Sequence, residues 1–428
     1  MERKKIISQG SLREFQNDGD DFDRYYLPAR GLILPGETHL LPENCLLKIY
    51  SQQLKIIKKD LLLPPNNVLE IPDTDYLLDL AIFQNLSLLK DCLDSSQKYV
   101  VYPYAVTEET LQWIKQLQKD GFQIEPAFPK KVYFEKLRHP AHRGGWGRWV
   151  NEPDVPSFPE KYGLPYPVSW IGRDLNEVIE CYQRVCEQTN GASAYLKPIF
   201  SAGGFTLAEI RSEKELKKHY QKLMEQGALF FDANLSPVEI QQTIEPIEGF
   251  YSFQYGINGG ILTPRSISQQ IMKDNQWQGN SFNHFKRELT VLQPIIKNFL
   301  IGYKNINGEN FGWGGVDLAQ TDSGFVILEH NGLRITGAHP AISLAQMFDV
   351  IDQPFATLKS PGQVNSDLNT VWELLKKYGY QFNPSIKTGI FPIVWFPGSG
   401  MLWATGEKPQ AMLETAYHLL ARENYIIM

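Results

Sequence analysis

From Cys45 onward the apolar positions fall into two alternating patterns. Short continuous runs at Cys45–Tyr50, Val68–Ile71 and Tyr99–Tyr102 read as strands. Between and after them, Tyr76–Leu93 and Glu108–Lys119 carry apolar residues at helical spacing. This alternation predicts a parallel sheet with helices on its faces. Residues 1–40 are polar and show no clear period, so they are expected to form a loosely structured lead-in. Five prolines between Pro153 and Pro167 mark a domain boundary.

The second half alternates again. Leu175–Thr189 is an amphipathic helix stopped by Asn190-Gly191, and a strand from Ala194 follows. A helix over Glu213–Gln226 and a strand over Ala228–Phe231 lead to the segment from Val238. Tyr251, Phe253 and Tyr255 alternate as a half-buried strand does, Asn258-Gly259-Gly260 makes a hairpin turn, and a return strand runs to Ser268. Asn283–Tyr303 reads as a long helix kinked at Pro294. The tail gives a helix over Asp367–Tyr378, paired strands at Gly389–Phe396 and Met401–Thr405, and a helix over Pro409–Arg422.

Composition narrows the function classes. A chain of 428 residues suggests two to four domains or subdomains. A net charge of −6 provides no global attraction for nucleic acid or anionic membrane. Cys45, Cys92, Cys181 and Cys186 form no CxxC pair, which argues against a zinc site or disulfide scaffold and fits a reducing, cytoplasmic compartment. The N-terminus lacks the apolar segment of a secretory signal, and no run of 18 apolar residues exists to span a membrane. No GxGxxG follows any strand, so a dinucleotide site is not expected.

The candidate chemistry centres on a hairpin. Asp317 ends one apolar run, a turn follows at Thr321–Gly324, and the run Phe325–Leu328 delivers Glu329 and Asn331. Residues two apart on a strand share a face, so Glu329 and Asn331 converge while His330 points away and is expected to lose far less activity on substitution by alanine. Three hard oxygen donors suit Mg²⁺, and an acidic surface hairpin would look the same. Upstream, an apolar strand presents Lys197 before the small-residue loop Ser201-Ala202-Gly203-Gly204-Phe205. Such a loop lets backbone N–H groups reach phosphate oxygens, with lysine as a point charge, although a tight hairpin with an exposed lysine fits too. Residues 131–150 are basic and aromatic, with Arg143 and Arg148 around three glycines: an anion clamp or a solvated loop.

The order of these signals resembles the ATP-grasp superfamily, through Lys197 with its glycine loop and the motif GWGGVD…VILEHN, with twelve residues from Asp317 to Glu329. Ser252-Phe253-Gln254, Gln270, Trp277-Gln278-Gly279 and Arg334…Gly337-Ala338-His339-Pro340 resemble the pheganomycin-type peptide ligase branch. The resemblance covers Pro153 to the end and, more faintly, residues 45–150. It implies an α+β, α/β chain with an ATP-grasp fold. The parts would be an N-terminal pre-ATP-grasp α/β domain (1–150), two ATP-grasp lobes (151–235 and 236–358) and a small C-terminal α+β domain (359–428).

It further implies ATP and two Mg²⁺, and small-molecule carboxylate and amine substrates joined through an acyl-phosphate. A homodimer is compatible with it, and neither nucleic acid nor membrane is an expected partner. Lys197 and Lys136 would face the α/β-phosphates, Ser201, Gly203 and Gly204 would cover them, and Gln242, Thr243 and Ile244 would form the adenine hinge. Glu248 would hold the ribose, with Glu245 as competitor. Asp317, Glu329 and Asn331 would hold Mg²⁺; Arg334, Thr336 and Gly337 would stabilise the transferring phosphate or oxyanion. His339 is either a base for the amine or a structural histidine. Asn331 and Arg334 stand as N-x-x-R where the family has N-x-R, and Phe205 replaces a frequent third glycine. A non-catalytic nucleotide-binding protein and a phosphotransferase to a hydroxyl are the alternatives.

Overall fold

Among the described residues, three large sheets and one small pair, Gln363–Val364 with Ile426–Ile427, organise the chain. A computed structural model describes residues 4–8, 28–36, 38–65, 67–72, 78–103, 108–127, 146–191, 193–199, 207–225, 237–244, 249–258, 261–273, 276–282, 292–299, 301–302, 312–331 and 336–427. The first sheet is parallel, with strands in the order Asn67–Ile71, Thr38–Pro42, Lys4–Ser8, Lys98–Pro103, Gln123–Pro126. The expected parallel sheet is therefore present, and one described stretch of the lead-in belongs to it. Lys4–Ser8 is its central strand, paired on both sides, with Ile6 and Ile7 buried. Five residues are too few for a period to show, and pairing on both edges supplies the order that the local pattern lacks.

Cys45–Tyr50 is not a strand. It opens a helix, Cys45–Asp60, capped by the Asn44 side chain, which accepts from the Leu46 and Leu47 amides. Leu47, Tyr50, Leu54 and Ile57 are buried on one face. The short apolar run hid a helical stripe that continues past it. This helix packs against the C-terminal part: Gln53 Nε2 donates to Asp367 Oδ2 at 2.9 Å, and the Tyr50 hydroxyl donates to the Ile393 carbonyl. The Tyr76–Leu93 stretch forms two helices, Leu78–Gln84 and Leu86–Cys92, joined at Asn85.

The second sheet runs Arg148–Trp149, Ser169–Gly172, Val238–Gln242, Ala194–Pro198, Ala208–Ile210. Helices Leu175–Gln188 and Glu213–Glu225 cover one face, burying Val178, Cys181, Val185, Leu216 and Leu223 against Leu196, Val238 and Ile240. Lys197 and Glu239 sit opposite one another, both buried, on the face away from these helices.

The third sheet is antiparallel and has eight strands: Gly324–Asn331, Gly312–Thr321, Phe250–Asn258, Ile261–Lys273, Gln276–Phe282, Phe355–Lys359, Ser399–Thr405, Gly389–Phe396. Strands from both sides of position 358 share it. The hairpin turn closes at Asp322-Ser323, with Gly324 at φ 114° where a side chain would be strained. One face packs Tyr251, Phe253, Tyr255, Val316, Leu318 and Ile327 against helical residues 292–299, which carry Leu292, Ile296 and Phe299. The start of the helix expected over Asn283–Tyr303 and the strand expected over Ala228–Phe231 lie outside the described residues. Among the described residues no helix is long and apolar enough to cross a membrane.

Candidate active site

The GWGGVD motif acquires a physical meaning in the eight-stranded sheet. Gly314 and Gly315 pair with Tyr255 and Gln254 of the neighbouring strand. A Cβ at Gly314 would overlap the Tyr255 hydroxyl, and one at Gly315 would stand 2.8 Å from the Gln254 amide. The two glycines let those side chains lie flat, one on each face. On the apolar face the Tyr255 hydroxyl meets His330 Nε2 at 2.6 Å. Trp146 Nε1 donates to His330 Nδ1 at 2.9 Å, so the neutral ring carries its proton on Nε2 and donates to tyrosine. His330 is 2% exposed and packed among Trp146, Tyr255 and Phe299. It faces away from Glu329, as its position predicts, and is a buried connector within the core.

On the polar face Asp317 sits directly across from Glu329. One Asp317 oxygen accepts from the Ser252 hydroxyl and from Gln270 Nε2, both at 2.8 Å, and the other accepts from Asn331 Nδ2 at 3.0 Å. Gln254 Nε2 donates to Ser252 Oγ at 2.6 Å, and Thr336 Oγ1 donates to Gln254 Oε1 at 2.8 Å. An unbroken chain thus runs Thr336, Gln254, Ser252, Asp317. Asp317 and Glu329 add two carboxylates and Asn331 a carboxamide: hard oxygens without sulfur or imidazole, a donor set that fits Mg²⁺ and leaves coordination positions for phosphate oxygens. Among the described residues no group of three or more His, Cys, Asp or Glu side chains is gathered as a metal site, so a transition-metal centre has no such cluster here.

A bulge sets this arrangement. Leu318 pairs with Ile327 and Asp317 with Glu329, leaving Leu328 as the extra residue. Phe325 and Ile327 point to the apolar core; one added residue reverses the alternation, so Glu329 and Asn331 face Asp317 and His330 faces the core. The Leu328 carbonyl accepts from Lys197 Nζ and from Gln241 Nε2, each at 3.3 Å. Lys197 Nζ also donates to Gln241 Oε1. The lysine-bearing sheet is thereby tied to the strand that carries Glu329.

Other candidates fall as follows. Gln242 N donates to the Val168 carbonyl at 2.8 Å and Thr243 N to the Ser193 carbonyl at 3.2 Å, at the end of the Val238–Gln242 strand with Ile244 just beyond. Gly337 is the N-cap of the helix Ala338–Met347, tight against the Trp277 ring. Thr336 N donates to His339 Nδ1 at 2.9 Å. Burial and the charges of Arg265 and Arg30 hold His339 well below the usual imidazole range, which makes it a neutral clamp on the helix start. Arg148 pairs with Glu160 and stands over Trp170, 5.2 Å from the ring centroid. Lys136, Ser201, Gly203, Gly204, Glu248 and Arg334, with Glu245, Phe205 and Arg143, lie outside the described residues.

Sequence reasoning missed Glu239, Gln241 and Tyr166. Tyr166 donates to buried Glu239 at 2.5 Å, and burial with that carboxylate beside it pushes Tyr166 well above the usual phenol range. The signal was present: Glu239 and Gln241 alternate with Val238 and Ile240.

No protein-family model and no curated protein matches the chain. Solved structures do. Biotin carboxylase from Campylobacter jejuni, in a β-γ-ATP complex, is 12% identical, with 100% of this chain and 92% of that one covered at a TM-score of 0.58. The biotin carboxylase domain dimer of 2-oxoglutarate carboxylase from Hydrogenobacter thermophilus, in complex with MgADP, ADP and bicarbonate, is 15% identical. It covers 94% of this chain and 86% of its own, at a TM-score of 0.56. N5-carboxyaminoimidazole ribonucleotide synthetase from Thermus thermophilus is 12% identical, with 99% and 98% covered at a TM-score of 0.56. At such identities the shared property is the fold: the chain's mixed α/β architecture matches these ATP-grasp fold structures over 94–100% of its residues.

Proposed function

We propose that this chain is an ATP- and Mg²⁺-dependent ligase that joins a carboxylate to an amine through an acyl-phosphate. The observation that carries the reading is the meeting of Lys197 and Gln241 with the bulged strand bearing Glu329, beside an Asp317 whose two oxygens are fixed by three donors. The nucleotides in the similar structures support the same reading. A peptide-forming activity is supported by Ser252, Gln254 and Gln270, the residues that resemble the pheganomycin-type branch and that surround Asp317.

Lys197 neutralises phosphate charge in ground and transition states alike. Asp317, Glu329 and Asn331 would hold Mg²⁺, which would offset negative charge during the transfer. A substrate carboxylate oxygen bonds to the γ-phosphorus as the bond to the ADP oxygen breaks. The amine nitrogen then bonds to the acyl carbon, inorganic phosphate leaves, and the amine proton goes to solvent. Thr336 and the Gly337 backbone, at the start of a helix whose dipole favours negative charge, stabilise the developing oxyanion. Holding three reactants together supplies roughly 7–11 kcal/mol of the barrier reduction.

The test is ADP release across a panel of amino acids and small carboxylates, with hydroxylamine added. ADP release with hydroxamate formation is the expected result. ADP release with a phosphorylated hydroxyl product and no hydroxamate would replace this reading with the phosphotransferase. Absence of MgATP binding by calorimetry would remove the nucleotide assignment altogether.

A further inference from the structure

The same polar face that carries Asp317 continues along the strand to Trp313, four residues away and so on the order of 13 Å distant. There the Arg265 guanidinium stands over the Trp313 ring, 5.1 Å from its centroid. Trp313 stacks on His339 at 5.6 Å and 17°, and leans on Tyr102 at 4.9 Å. Arg265 is here because of a second bulge. Gln254 pairs with Ser266 and Tyr255 with Pro264, so Arg265 is the extra residue, turned out of the ladder toward Trp313.

The surroundings are cationic and half-buried. Arg265 Nη1 is buried without a hydrogen-bond partner among the described residues, and Nη2 donates to Gln346 Oε1 at 3.5 Å. Among the described residues no carboxylate pairs with Arg265; the phenol of Tyr102 is the group whose charge bears on it. Arg30 is 5% exposed, and its charge joins that of Arg265 at His339. A guanidinium withdrawn from water without an anion is costly, and burial pulls Arg265 below its ordinary range. The Ala338–Met347 helix starts beside it, with no side-chain cap at Gly337.

The location also matters. Tyr102 lies at the carboxyl end of Lys98–Pro103, which neighbours Lys4–Ser8 in the parallel sheet. From Lys4–Ser8 the chain first builds outward on one side, through Thr38–Pro42 and Asn67–Ile71, then crosses to Lys98–Pro103 on the other. That is a topological switch point, where open α/β sheets hold ligands outside the carboxyl ends of their strands.

We infer that Arg265, stacked on Trp313 at this switch point, binds an oxyanion of the substrate, a carboxylate or a phosphate distinct from the group activated beside Asp317. The inference rests on the ligase reading and narrows its substrate class to a molecule with two acidic ends. The second end lies on the order of 13 Å from Asp317 along the strand.

The test uses the full chain with and without saturating MgADP, titrated calorimetrically with inorganic phosphate, glutarate and uncharged glutaramide. At least one of the two anions binds the wild type and glutaramide does not. Arg265→Met weakens that binding at least about tenfold, the size expected for a charge-assisted contact, and Arg265→Lys falls between. Preference for phosphate or glutarate tells which oxyanion the site reads. MgADP affinity stays the same in both variants. Failure of both anions to bind the wild type, or unchanged binding in a folded Arg265→Met, overturns the subsite. Should Arg265→Met not fold, phenylglyoxal modification of Arg265 in the wild type decides: protection by the bound anion supports the site, and an unchanged rate overturns it. Loss of MgADP binding with retained anion binding would instead remove the ligase reading and leave the subsite standing.

Discussion

The two faces of the Gly312–Asn331 hairpin teach how neighbouring residues acquire opposite roles. On one face Glu329 and Asn331 stand with Asp317 in a network of hydroxyl and carboxamide donors. On the other, one residue along, His330 is sealed among Trp146, Tyr255 and Phe299 with both ring nitrogens engaged. The first face is polar and lined by hydrogen-bonded carboxylate, hydroxyl and carboxamide groups. The second is a packed core with a polar centre whose partners are fixed. Sequence distance says nothing about this division, because alternation and one bulge decide it.

The largest effect expected from breaking the comparison is on the polar face. Glu329→Gln should lower kcat by at least about 10³-fold, since removing one carboxylate under-neutralises the polyphosphate during transfer. Urea midpoints of variant and wild type should coincide. Near-normal ADP formation by Glu329→Gln would show that the hairpin does not hold the metal.

On the apolar face the cost moves from rate to stability. His330→Ala should destabilise the fold by about 3–5 kcal/mol, through a cavity and through the stranded Trp146 N–H and Tyr255 hydroxyl. Chemical denaturation reads this directly. A change under about 0.5 kcal/mol, the size of an ordinary surface substitution, would contradict the packing described here.

A smaller effect sharpens the polar side. Ser252→Ala and Gln270→Ala each remove a donor from Asp317 without altering the proposed Mg²⁺ ligands. Such supporting residues typically matter by about 10–100-fold in metal affinity. Mg²⁺ dependence of ADP release should shift by that factor, with kcat at saturating Mg²⁺ largely kept. A fall in kcat with unchanged Mg²⁺ dependence would place these residues outside the metal site.

The smallest effect concerns the second neutral histidine. His339 is held below its unfolded imidazole range by burial, with Arg265 and Arg30 adding to it. The folded ring stays neutral where the unfolded one takes a proton, so the unfolded state binds more protons below about pH 6.5 and stability falls as pH drops there. Buried His39, lowered to about 3 by desolvation and by Lys58, adds a slope of the same sign. His339→Gln should therefore flatten, but not abolish, the decline of the urea midpoint between about pH 6.5 and 5. An unchanged slope would mean that His339 is protonated in the fold.

Parts of this architecture are legible in the residues themselves. Glu108–Lys119, Pro409–Arg422 and the Asp317 hairpin can be read from helical period, a proline in the first turn and turn chemistry, because these signals lie within a few residues of one another. The ligand-type residues of the hairpin, and Lys197 ahead of a glycine loop, could be named for the same reason. What the chain alone did not show are features defined by partners far away. Lys4–Ser8 becomes a central strand only through Thr38–Pro42 and Lys98–Pro103. Cys45–Tyr50 becomes helical because its stripe meets the C-terminal segment. Ser252 and Gln270 find Asp317 from 65 and 47 residues away. The bulges at Leu328 and Arg265 leave no local trace, since an extra residue exists only relative to the strand it is paired with. Those two pairings, decided by tertiary structure, set which side chains face the candidate site.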